Sequence, residues 1–526
     1  MVARTVGEQK PRMLVIGLDA ADRELIERWC DEGLLPNLSR MRANGTWGAL
    51  HTTADTVHVS AWPGIFTGTT PDKHGLYHAY VMRPGEQAPV RPRPEECPVP
   101  FLWQLLDEQG IRSIVMDAFL TCPLRGFGGI QIVDWGSWTW FSGQEIQPES
   151  IRQAIRRKFG TYPAENHSRV GMTPPSDPLG FRRRLLQGVE KKAEVAQWLM
   201  ESQDWEFFLL VFGECHAAGH YFWHYMDPDY VSYPGQAEVE LRTALRDVYV
   251  ALDAAVGRLL AGCDGRTTVY VVSGDGMGPN YSGSHILNGL LERMKLANVR
   301  GAGSDAVPAK ARKGLSSTLR AMVPKQFRAM VSKYVLPRSV NERLSMHWKT
   351  ADISWADTRA FVIENANEGY VRVNLKGREP EGIVGSEAEY DAICDALVDV
   401  ASRMTNPANG RRAAAHVHRS SDLYTGPCTR TFPDIIIGWD PEAKVTRELA
   451  TPEYGVVASG QPGYAVAPYY SGNHRGNAFV VAQGPTVPEG TVLEGGSILD
   501  LAPTILAHFG VAAPEHMDGQ VLASLK

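Results

Sequence analysis

The chain has 526 residues, 44% of them hydrophobic, so it is long enough to bury a large core as one α/β domain with insertions or as several smaller domains. Its net charge of −6 argues against a protein whose main task is to bind nucleic acid. No stretch approaches the roughly 18 continuous apolar residues of a membrane-spanning helix, and the seven cysteines lack paired spacing, so we expect a cytoplasmic protein with reduced thiols.

The first third of the chain alternates predicted strands and helices. Two short apolar runs, at residues 13–18 and 113–116, predict buried strands, and an aspartate follows each of them. The segments with helical spacing or recurring apolar residues are 21–32, 61–67 and 102–110, and a loop is predicted at 68–75. This alternation predicts the crossover units of an α/β fold.

Aromatic residues are concentrated in two segments. The segment from 134 to 141 carries three tryptophans within six positions, with Gly, Ser and Thr between them. Together with the aromatic residues of 221–225, we interpret it as a wall that holds the organic part of a substrate. The alternative is that one or two of the three tryptophans pack in the core.

A histidine-rich stretch follows the apolar run 207–212, which is predicted to be a buried parallel strand. His216 and His220 are four residues apart, so on a helix both imidazoles project from one face. At the carboxyl end of a strand, two such residues are well placed to hold a divalent metal. The alternative is a pair of polar residues on a solvated helix face.

The middle of the chain contains a basic segment, residues 286–349. Before it, helices are predicted at 185–201 and 238–263, and a strand at 267–272 is followed by Asp275. Thirteen Lys and Arg residues face three acidic residues within 286–349. We interpret this segment as a helical insertion, a possible cap, whose charge attracts an anionic substrate or an acidic membrane surface. A solvated basic face is the alternative.

The last third returns to the α/β pattern. Strands are predicted at 370–375, 434–439 and 478–481, and helices at 386–404 and 498–509. Residues 1–285 and 350–526 are therefore predicted to form one catalytic α/β domain around the basic insertion. The fold class is predicted to be a three-layer α/β/α sandwich with a mostly parallel central sheet.

Candidate metal ligands follow several of the predicted strands. In an open α/β sheet these positions meet at the carboxyl edge, so distant segments can converge there. His216, His220 and His474 would form a nitrogen-rich site suited to Zn²⁺, and Asp19 and Asp275 would supply oxygens to a second ion. Two ions ~4 Å apart stabilise both the attacking and the leaving oxygen in phosphoryl transfer.

Short motifs occur in a fixed order along nearly the whole chain outside the basic segment. They are Gly17-Leu18-Asp19, Ala61-Trp62-Pro63, Phe66-Thr67-Gly68, Pro71 to Gly75, Gly219-His220, Gly276 to Asn280, Asn374 to Gly382, Gly472-Asn473-His474, Ala502-Pro503-Thr504 and Met517-Asp518-Gly519. By these motifs the sequence resembles the alkaline phosphatase superfamily, and within it the type I phosphodiesterase/nucleotide pyrophosphatase-like branch. The resemblance implies an alkaline-phosphatase-like sandwich and a metal-dependent hydrolase of phosphoric esters.

The resemblance also implies two sets of metal ligands. The first set falls on His216, His220 and His474, with His216 where the family has an Asp. The second set falls on Asp19 and on the position of a consecutive Asp-His pair, which here reads Gly274-Asp275. The expected cofactors are two divalent ions, with Zn²⁺ favoured and Mn, Fe or Mg as alternatives.

The nucleophile position of the family falls on His58, ten residues before Gly68, where the family has Thr or Ser. Three hypotheses follow. His58 is a metal ligand beside Asp19 and Asp275; His58 is itself phosphorylated; or a nearby hydroxyl, Ser60 or Thr56, is the nucleophile.

Three further residues have two interpretations each. Glu214 is a metal ligand or a partner that orients His216, or else it caps the helix. His285 takes the place of the histidine missing from the family's Asp-His pair, or else it lies outside the site. Arg475 neutralises a substrate oxygen, or else it faces solvent.

The predicted function is a phosphodiesterase or nucleotide pyrophosphatase that acts on a small anionic substrate through a two-metal site. The alternatives are hydrolysis of a phosphomonoester, phosphonate or sulfate ester, phosphoryl transfer, or a non-catalytic binding role. The sequence leaves the oligomeric state open.

Overall fold

The computed structural model describes residues 10–136, 144–164, 175–299, 353–460, 463–466 and 470–525. Its strands are β1 (Arg12–Leu18), β2 (Thr46–Leu50), β3 (Ser113–Met116), β4 (Ile130–Val133), β5 (Glu145–Gln147), β6 (Phe207–Phe212), β7 (Thr267–Ser273), β8 (Gly276–Pro279), β9 (Ala360–Ile363), β10 (Gly369–Val373), β11 (Ala414–Arg419), β12 (Ile435–Trp439), β13 (Glu448–Thr451), β14 (Gly455–Ala458), β15 (Gly472–Arg475), β16 (Ala478–Gln483) and β17 (Thr491–Val492). Its α-helices are α1 (Arg23–Asp31), α2 (Pro36–Ala43), α3 (Ala54–Val57), α4 (Ala61–Thr67), α5 (Pro71–His74), α6 (Leu102–Glu108), α7 (Glu149–Phe159), α8 (Pro178–Ser202), α9 (Glu214–Met226), α10 (Val239–Arg242), α11 (Ala244–Ala261), α12 (Leu287–Arg293), α13 (Glu387–Ser402), α14 (Ser420–Leu423) and α15 (Leu501–His508).

A nine-stranded sheet forms the centre of the molecule, in the order β17-β2-β16-β7-β1-β6-β3-β4-β5. Strands β7, β1, β6, β3 and β4 are parallel neighbours, whereas β16 and β5 run antiparallel to the strands beside them. Every residue of β6 is apolar and buried, as expected for a strand covered on both faces. The predicted mostly parallel sheet is confirmed.

Helices cover both faces of this sheet. Along β1, Leu14, Ile16 and Leu18 point into one core, which α1, α8, α9 and α11 complete. The alternate residues Met13 and Val15 point into a second core with α4, α6 and α15. Because side chains alternate across a strand, one apolar run supplies both cores, and the three-layer sandwich follows.

A second, four-stranded antiparallel sheet has the order β11-β12-β10-β9. Helices α12 and α13 pack on it and form a third core. Its other side contacts the segment before α4 and the segment after α5, where Val57 and Tyr77 respectively pack with Tyr370 and Ile436. This packing brings the connection between β9 and β10 close to the carboxyl edge of the main sheet.

Most predicted elements appear with small changes at their ends. The helix predicted at 238–263 is divided at Thr243 into α10 and α11, and the Thr243 hydroxyl donates to the Asp247 carboxylate in the first turn of α11 at 2.8 Å. The loop predicted at 68–75 contains the one-turn helix α5. Pro71 suits the first turn of a helix, and Gly75, at φ +73°, ends it.

Residues 300–352 lie outside the described residues, so the basic cap and its bounds remain a prediction. The part of 286–349 that is described includes α12, whose Leu287, Leu290 and Leu291 are buried in the third core. Within the described ranges, no helix is both long enough and apolar enough to cross a lipid bilayer.

Candidate metal centre and active site

Four segments of the chain meet at the carboxyl edge of the main sheet. Asp19 follows β1, α9 begins just after β6, and Asp275 follows β7. The fourth segment arrives through β15, which pairs antiparallel with β8 and places His474 opposite Met277. The register of β1 with its two parallel neighbours aligns these strand ends. The expected convergence of strand ends is therefore seen in the structure.

The imidazoles of His216, His220 and His474 form a buried group. The Nε2 atom of His216 lies 2.8 Å from that of His220 and 3.1 Å from that of His474. In a tetrahedral zinc site with Zn–N distances near 2.0–2.1 Å, neighbouring nitrogens lie about 3.3 Å apart. To hold an ion, the Nε2 atom of His216 thus needs to move only a few tenths of an ångström further from the Nε2 atoms of His220 and His474.

The other nitrogen of each ring has a fixed acceptor. His216 Nδ1 lies 2.7 Å from Asp19 Oδ2, and His474 Nδ1 lies 2.5 Å from Asp275 Oδ2. His220 Nδ1 lies 2.8 Å from the carbonyl oxygen of Gly472. Because these acceptors bond an N–H, each Nδ1 carries the proton and each Nε2 keeps its lone pair. Such hydrogen bonds orient metal-binding histidines in proteins.

Two glycines allow the close approaches behind this arrangement. A Cβ atom on Gly472 would lie 2.3 Å from the carbonyl oxygen of Gly219, so its absence lets β15 approach α9. A Cβ atom on Gly17 would lie 2.5 Å from the Trp62 ring. The Trp62 indole fits there, and its Nε1 donates to Asp19 Oδ1 at 2.7 Å. Gly17 and Gly472, which belong to two of the motifs named above, are therefore required to be glycine by the close packing around them.

Burial dominates the electrostatics of the group. Loss of solvent lowers the pKa of His474 to about 4 and that of His220 well below its ordinary value. Loss of solvent also raises the pKa of Asp19, and raises that of Asp275 well above its ordinary value. Neutral imidazoles are the metal-binding form, and a divalent cation would offset the cost of burying the two carboxylates. The donor set therefore fits Zn²⁺ or a similar ion.

His58 lies beside this group, with its ring stacked on that of His474 at a centroid distance of 4.4 Å. His58 Nδ1 is 2.8 and 3.0 Å from the two carboxylate oxygens of Glu368, and Asn367 Nδ2 lies 2.9 Å from His58 Nε2. The amide of Asn365 donates to Glu368 at 2.6 Å. Burial alone would raise the pKa of Glu368, but His58 and these hydrogen bonds lower it to about 2. The Glu368 carboxylate thus fixes the position of the His58 ring through Nδ1.

The hydroxyls of Ser60 and Thr56 bond to other partners. Ser60 Oγ, which is fully buried, donates to the carbonyl of Val57 at 2.6 Å and lies 2.6 Å from the Thr53 hydroxyl. Thr56 Oγ1 lies 2.7 Å from the Tyr424 hydroxyl. Of the three candidates for the nucleophile position, His58 is the one whose ring contacts the three-histidine group.

Glu214, His285 and Arg475 each have a partner other than the three histidines. Tyr162 donates to Glu214 at 2.5 Å, and the buried Lys192 ammonium lies 3.8 Å from the same carboxylate. His285 Nε2 lies 3.1 Å from the carbonyl of Thr446. Arg475 forms a bidentate pair with the buried Asp22 and also contacts Glu24. Arg475 is therefore occupied with orienting the loop after β1.

The predicted aromatic wall divides into two parts. Trp135 is buried, and its ring packs edge-on against Tyr162 at 5.5 Å. Residues 137–143, with the other two tryptophans of that segment, lie outside the described residues. Tyr221 packs against Phe181 in the core. Trp135 and Tyr221 therefore contribute to the core, which for Trp135 was the alternative interpretation.

The sequence reasoning missed four residues of the site. Asn365, Asn367 and Glu368 lie in the connection between β9 and β10, and Tyr470 stacks on His220 at 4.2 Å. Two amides and a carboxylate in a short connection between apolar strands are a signal that could have identified the first three. The sequence before Gly472 offers no comparable signal for Tyr470.

Comparison with known proteins gives a family match over most of the chain. The model of the type I phosphodiesterase / nucleotide pyrophosphatase family matches residues 13–465. Two solved structures of phosphonoacetate hydrolase from Sinorhizobium meliloti 1021, in complex with phosphonoformate and with phosphonoacetate, are similar at 12% and 13% identity with TM-scores of 0.48 and 0.49. Each similarity covers 94% of this chain and 94% of that chain. No curated protein sequence matches this one.

Proposed function

The chain belongs to the type I phosphodiesterase / nucleotide pyrophosphatase family, and from this premise we propose that it is a divalent-metal-dependent hydrolase of phosphate esters. Phosphodiesters or nucleotide-type pyrophosphates are the proposed substrates. The observation that carries the proposal is the convergence of three imidazole Nε2 atoms, each on a ring whose Nδ1 is fixed by an acceptor. A divalent ion bound there supplies Lewis-acid stabilisation of charge on phosphoryl oxygens.

The residues around the ion site would bind and orient the ester. His58 and Asn367 are neighbours on the side of His474, so both are placed to contact a phosphoryl group bound at the three histidines. Glu368 fixes the ring of His58 through Nδ1, which leaves Nε2 as the atom that exchanges the Asn367 amide for a substrate oxygen or a proton. Among the three sequence hypotheses, this contact favours His58 over Ser60 and Thr56 as the reacting or orienting group.

A cytoplasmic location is also part of the proposal. All seven cysteines are free, including the buried Cys30, Cys122, Cys215 and Cys394. Free thiols in such number are typical of a reducing compartment.

The test compares ester classes on the purified full chain after supplementation with Zn²⁺, Mn²⁺ or Mg²⁺. We expect bis-p-nitrophenyl phosphate to be hydrolysed faster than p-nitrophenyl phosphate, p-nitrophenyl phenylphosphonate or p-nitrophenyl sulfate. His216→Ala and His474→Ala should abolish turnover and metal binding, whereas His418→Ala, a histidine on β11, serves as the matched control. Absence of turnover on every ester, with metal bound, would refute the enzyme proposal. Preference for the phosphonate or the sulfate would reassign the substrate class.

A further inference from the structure

The number of metal ions is the point at which the geometry departs from the expectation set by the sequence. Two ions were expected, one on three histidines and one on Asp19 and Asp275, with His58 as a further ligand in one of the three hypotheses for that residue. The inference rests on the proposed function, because it concerns the ion that this function uses.

The oxygens of Asp19 are both committed to hydrogen bonds. Oδ2 accepts from His216 Nδ1 at 2.7 Å, and Oδ1 accepts from Trp62 Nε1 at 2.7 Å. The Trp62 ring packs directly against Gly17, which has no Cβ atom in its way. An ion at Asp19 would compete with both donors for the same two oxygens, and loss of the imidazole contact would release the ring that the first ion needs.

One oxygen of the Asp275 carboxylate has a comparable partner. Oδ2 accepts from His474 Nδ1 at 2.5 Å, and the backbone N–H of Ala20 also bonds to the carboxylate. Ala20 adopts the left-handed conformation, at φ +53°, which is uncommon for a residue with a side chain. The loop after β1 therefore brings a backbone donor to this carboxylate.

His58 and position 274 are the other two places from which a second ion could take a ligand. His58 Nδ1 is held by Glu368, and Nε2, which contacts the Asn367 amide, is the atom assigned above to the substrate. A Cβ atom on Gly274 would lie 2.9 Å from the Cβ of Ala61 and 3.2 Å from Ile65 Cδ1. The packing of α4 against the end of β7 therefore leaves no room for a side chain at this position.

We propose that the chain binds a single divalent ion, on His216, His220 and His474, and that Asp19 and Asp275 are positioning residues that orient two of these rings. Within the described residues, the three histidines are the one group of three or more His, Cys, Asp or Glu whose ligand atoms converge. Three neutral nitrogens and an open fourth position are the donor pattern of catalytic zinc sites. The carboxylates then act on the ion through the imidazoles.

Metal stoichiometry of the full-length protein tests the proposal. We expect elemental analysis after dialysis against Zn²⁺ to give one equivalent per chain. Asp19→Asn and Asp275→Asn should keep that equivalent and weaken its binding by roughly 10- to 100-fold, as found for carboxylates that orient metal-binding histidines. His216→Ala, His220→Ala and His474→Ala should lose it. Asp253→Asn, a buried aspartate that accepts from Asn37 and Leu38, is the matched control.

Spectroscopy with Co²⁺ gives a second readout that does not depend on activity. The electron paramagnetic resonance spectrum of the loaded protein should be that of an isolated ion, whereas two ions ~4 Å apart would couple. Asp19→Asn and Asp275→Asn should each shift the visible Co²⁺ spectrum without abolishing it. Circular dichroism on each variant identifies any loss of folding.

The outcomes separate this inference from the proposed function. Two equivalents with a coupled spectrum, falling to one in Asp19→Asn, would overturn the single-ion proposal and leave the hydrolase intact. Full retention of affinity in both carboxylate variants would overturn the positioning role. No bound metal in the folded wild-type chain would overturn both proposals.

Discussion

His58 and Glu368 are 310 residues apart in the sequence, and the Nδ1 atom of His58 lies 2.8 and 3.0 Å from the two carboxylate oxygens of Glu368. The backbone N–H of His58 also donates to Glu368, at 3.1 Å. The connection between β9 and β10 therefore fixes both the ring and the main chain of His58. A charged hydrogen-bond partner for an imidazole is a recurring way to set which ring nitrogen is protonated.

Replacement of His58 tests which residue takes part in the reaction. We expect His58→Ala to lower kcat by roughly 100-fold or more, as found for groups that hold or move a proton in the transition state. Ser60→Ala and Thr56→Ala should leave kcat close to wild type, since both hydroxyls bond away from the histidines. Steady-state kinetics with bis-p-nitrophenyl phosphate gives the values. A large loss in Ser60→Ala alone would identify the hydroxyl as the nucleophile.

Replacement of Glu368 tests the support of His58. Glu368→Gln removes the negative charge and one hydrogen-bond acceptor. Hydrogen bonds to charged groups contribute about 1.5–3 kcal/mol. If the whole of this energy stabilises the transition state, its loss lowers kcat by roughly 10- to 100-fold. We expect kcat to fall within that range while KM changes little. Glu389→Gln, which breaks a more exposed pair with Arg359, is the control and should leave kcat unchanged. Equal kinetics in the two variants would contradict the role assigned to Glu368.

The indole of Trp62 is expected to stabilise the site through its N–H. Trp62→Phe keeps an aromatic ring over Gly17 and removes the donor to Asp19, which should lower the free energy of unfolding by about 1.5–3 kcal/mol. Trp103→Phe is the matched control, because Trp103 Nε1 is buried and has no hydrogen-bond partner among the described residues. Chemical denaturation of both variants gives the difference. Equal losses would show that the ring volume, rather than the hydrogen bond, determines the effect.

Gly274 is expected to tolerate no side chain. Gly274→Ala places a Cβ atom 2.9 Å from that of Ala61, and overpacking of this kind costs about 1–3 kcal/mol. Gly265→Ala, where no heavy atom lies within 4 Å of the added Cβ, should change stability little. Thermal unfolding of the two variants decides the question. Wild-type stability in Gly274→Ala would show that α4 can shift and that the second ion site is not closed by packing.

His74 is expected to make stability depend on pH. Burial lowers its pKa from an ordinary value of 6.5 to about 3, so below pH 6.5 the unfolded chain binds a proton that the folded chain does not. Stability should therefore fall with decreasing pH, by up to 1.36 kcal/mol per pH unit, or about 2 kcal/mol between pH 6.5 and 5.

His74→Asn should remove this part of the slope, since Asn can still accept from the backbone N–H of Leu76 and does not titrate. The measurement is the free energy of unfolding of both proteins across that pH range. Parallel curves for the two proteins would show that His74 does not remain neutral in the fold.

The sequence by itself determined the elements that local patterns specify. The apolar runs fixed β1, β3 and β6 as buried strands, because continuous apolar segments are stable only when both faces are covered. The spacing of His216 and His220 placed both rings on one face of α9, because four residues make about one helical turn. The ordered motifs identified the family, which the match over residues 13–465 confirms.

Only the tertiary structure decided what the polar side chains of the site contact. Asp19 and Asp275 could face an ion or a ring, and the structure places each against an imidazole 197 or 199 residues away. Glu368 reaches His58 only because the second sheet packs on the segment before α4. Hydrogen bonds of this kind depend on how separate elements pack and on the space left by Gly17 and Gly472. No pattern within a single segment of the sequence contains that information.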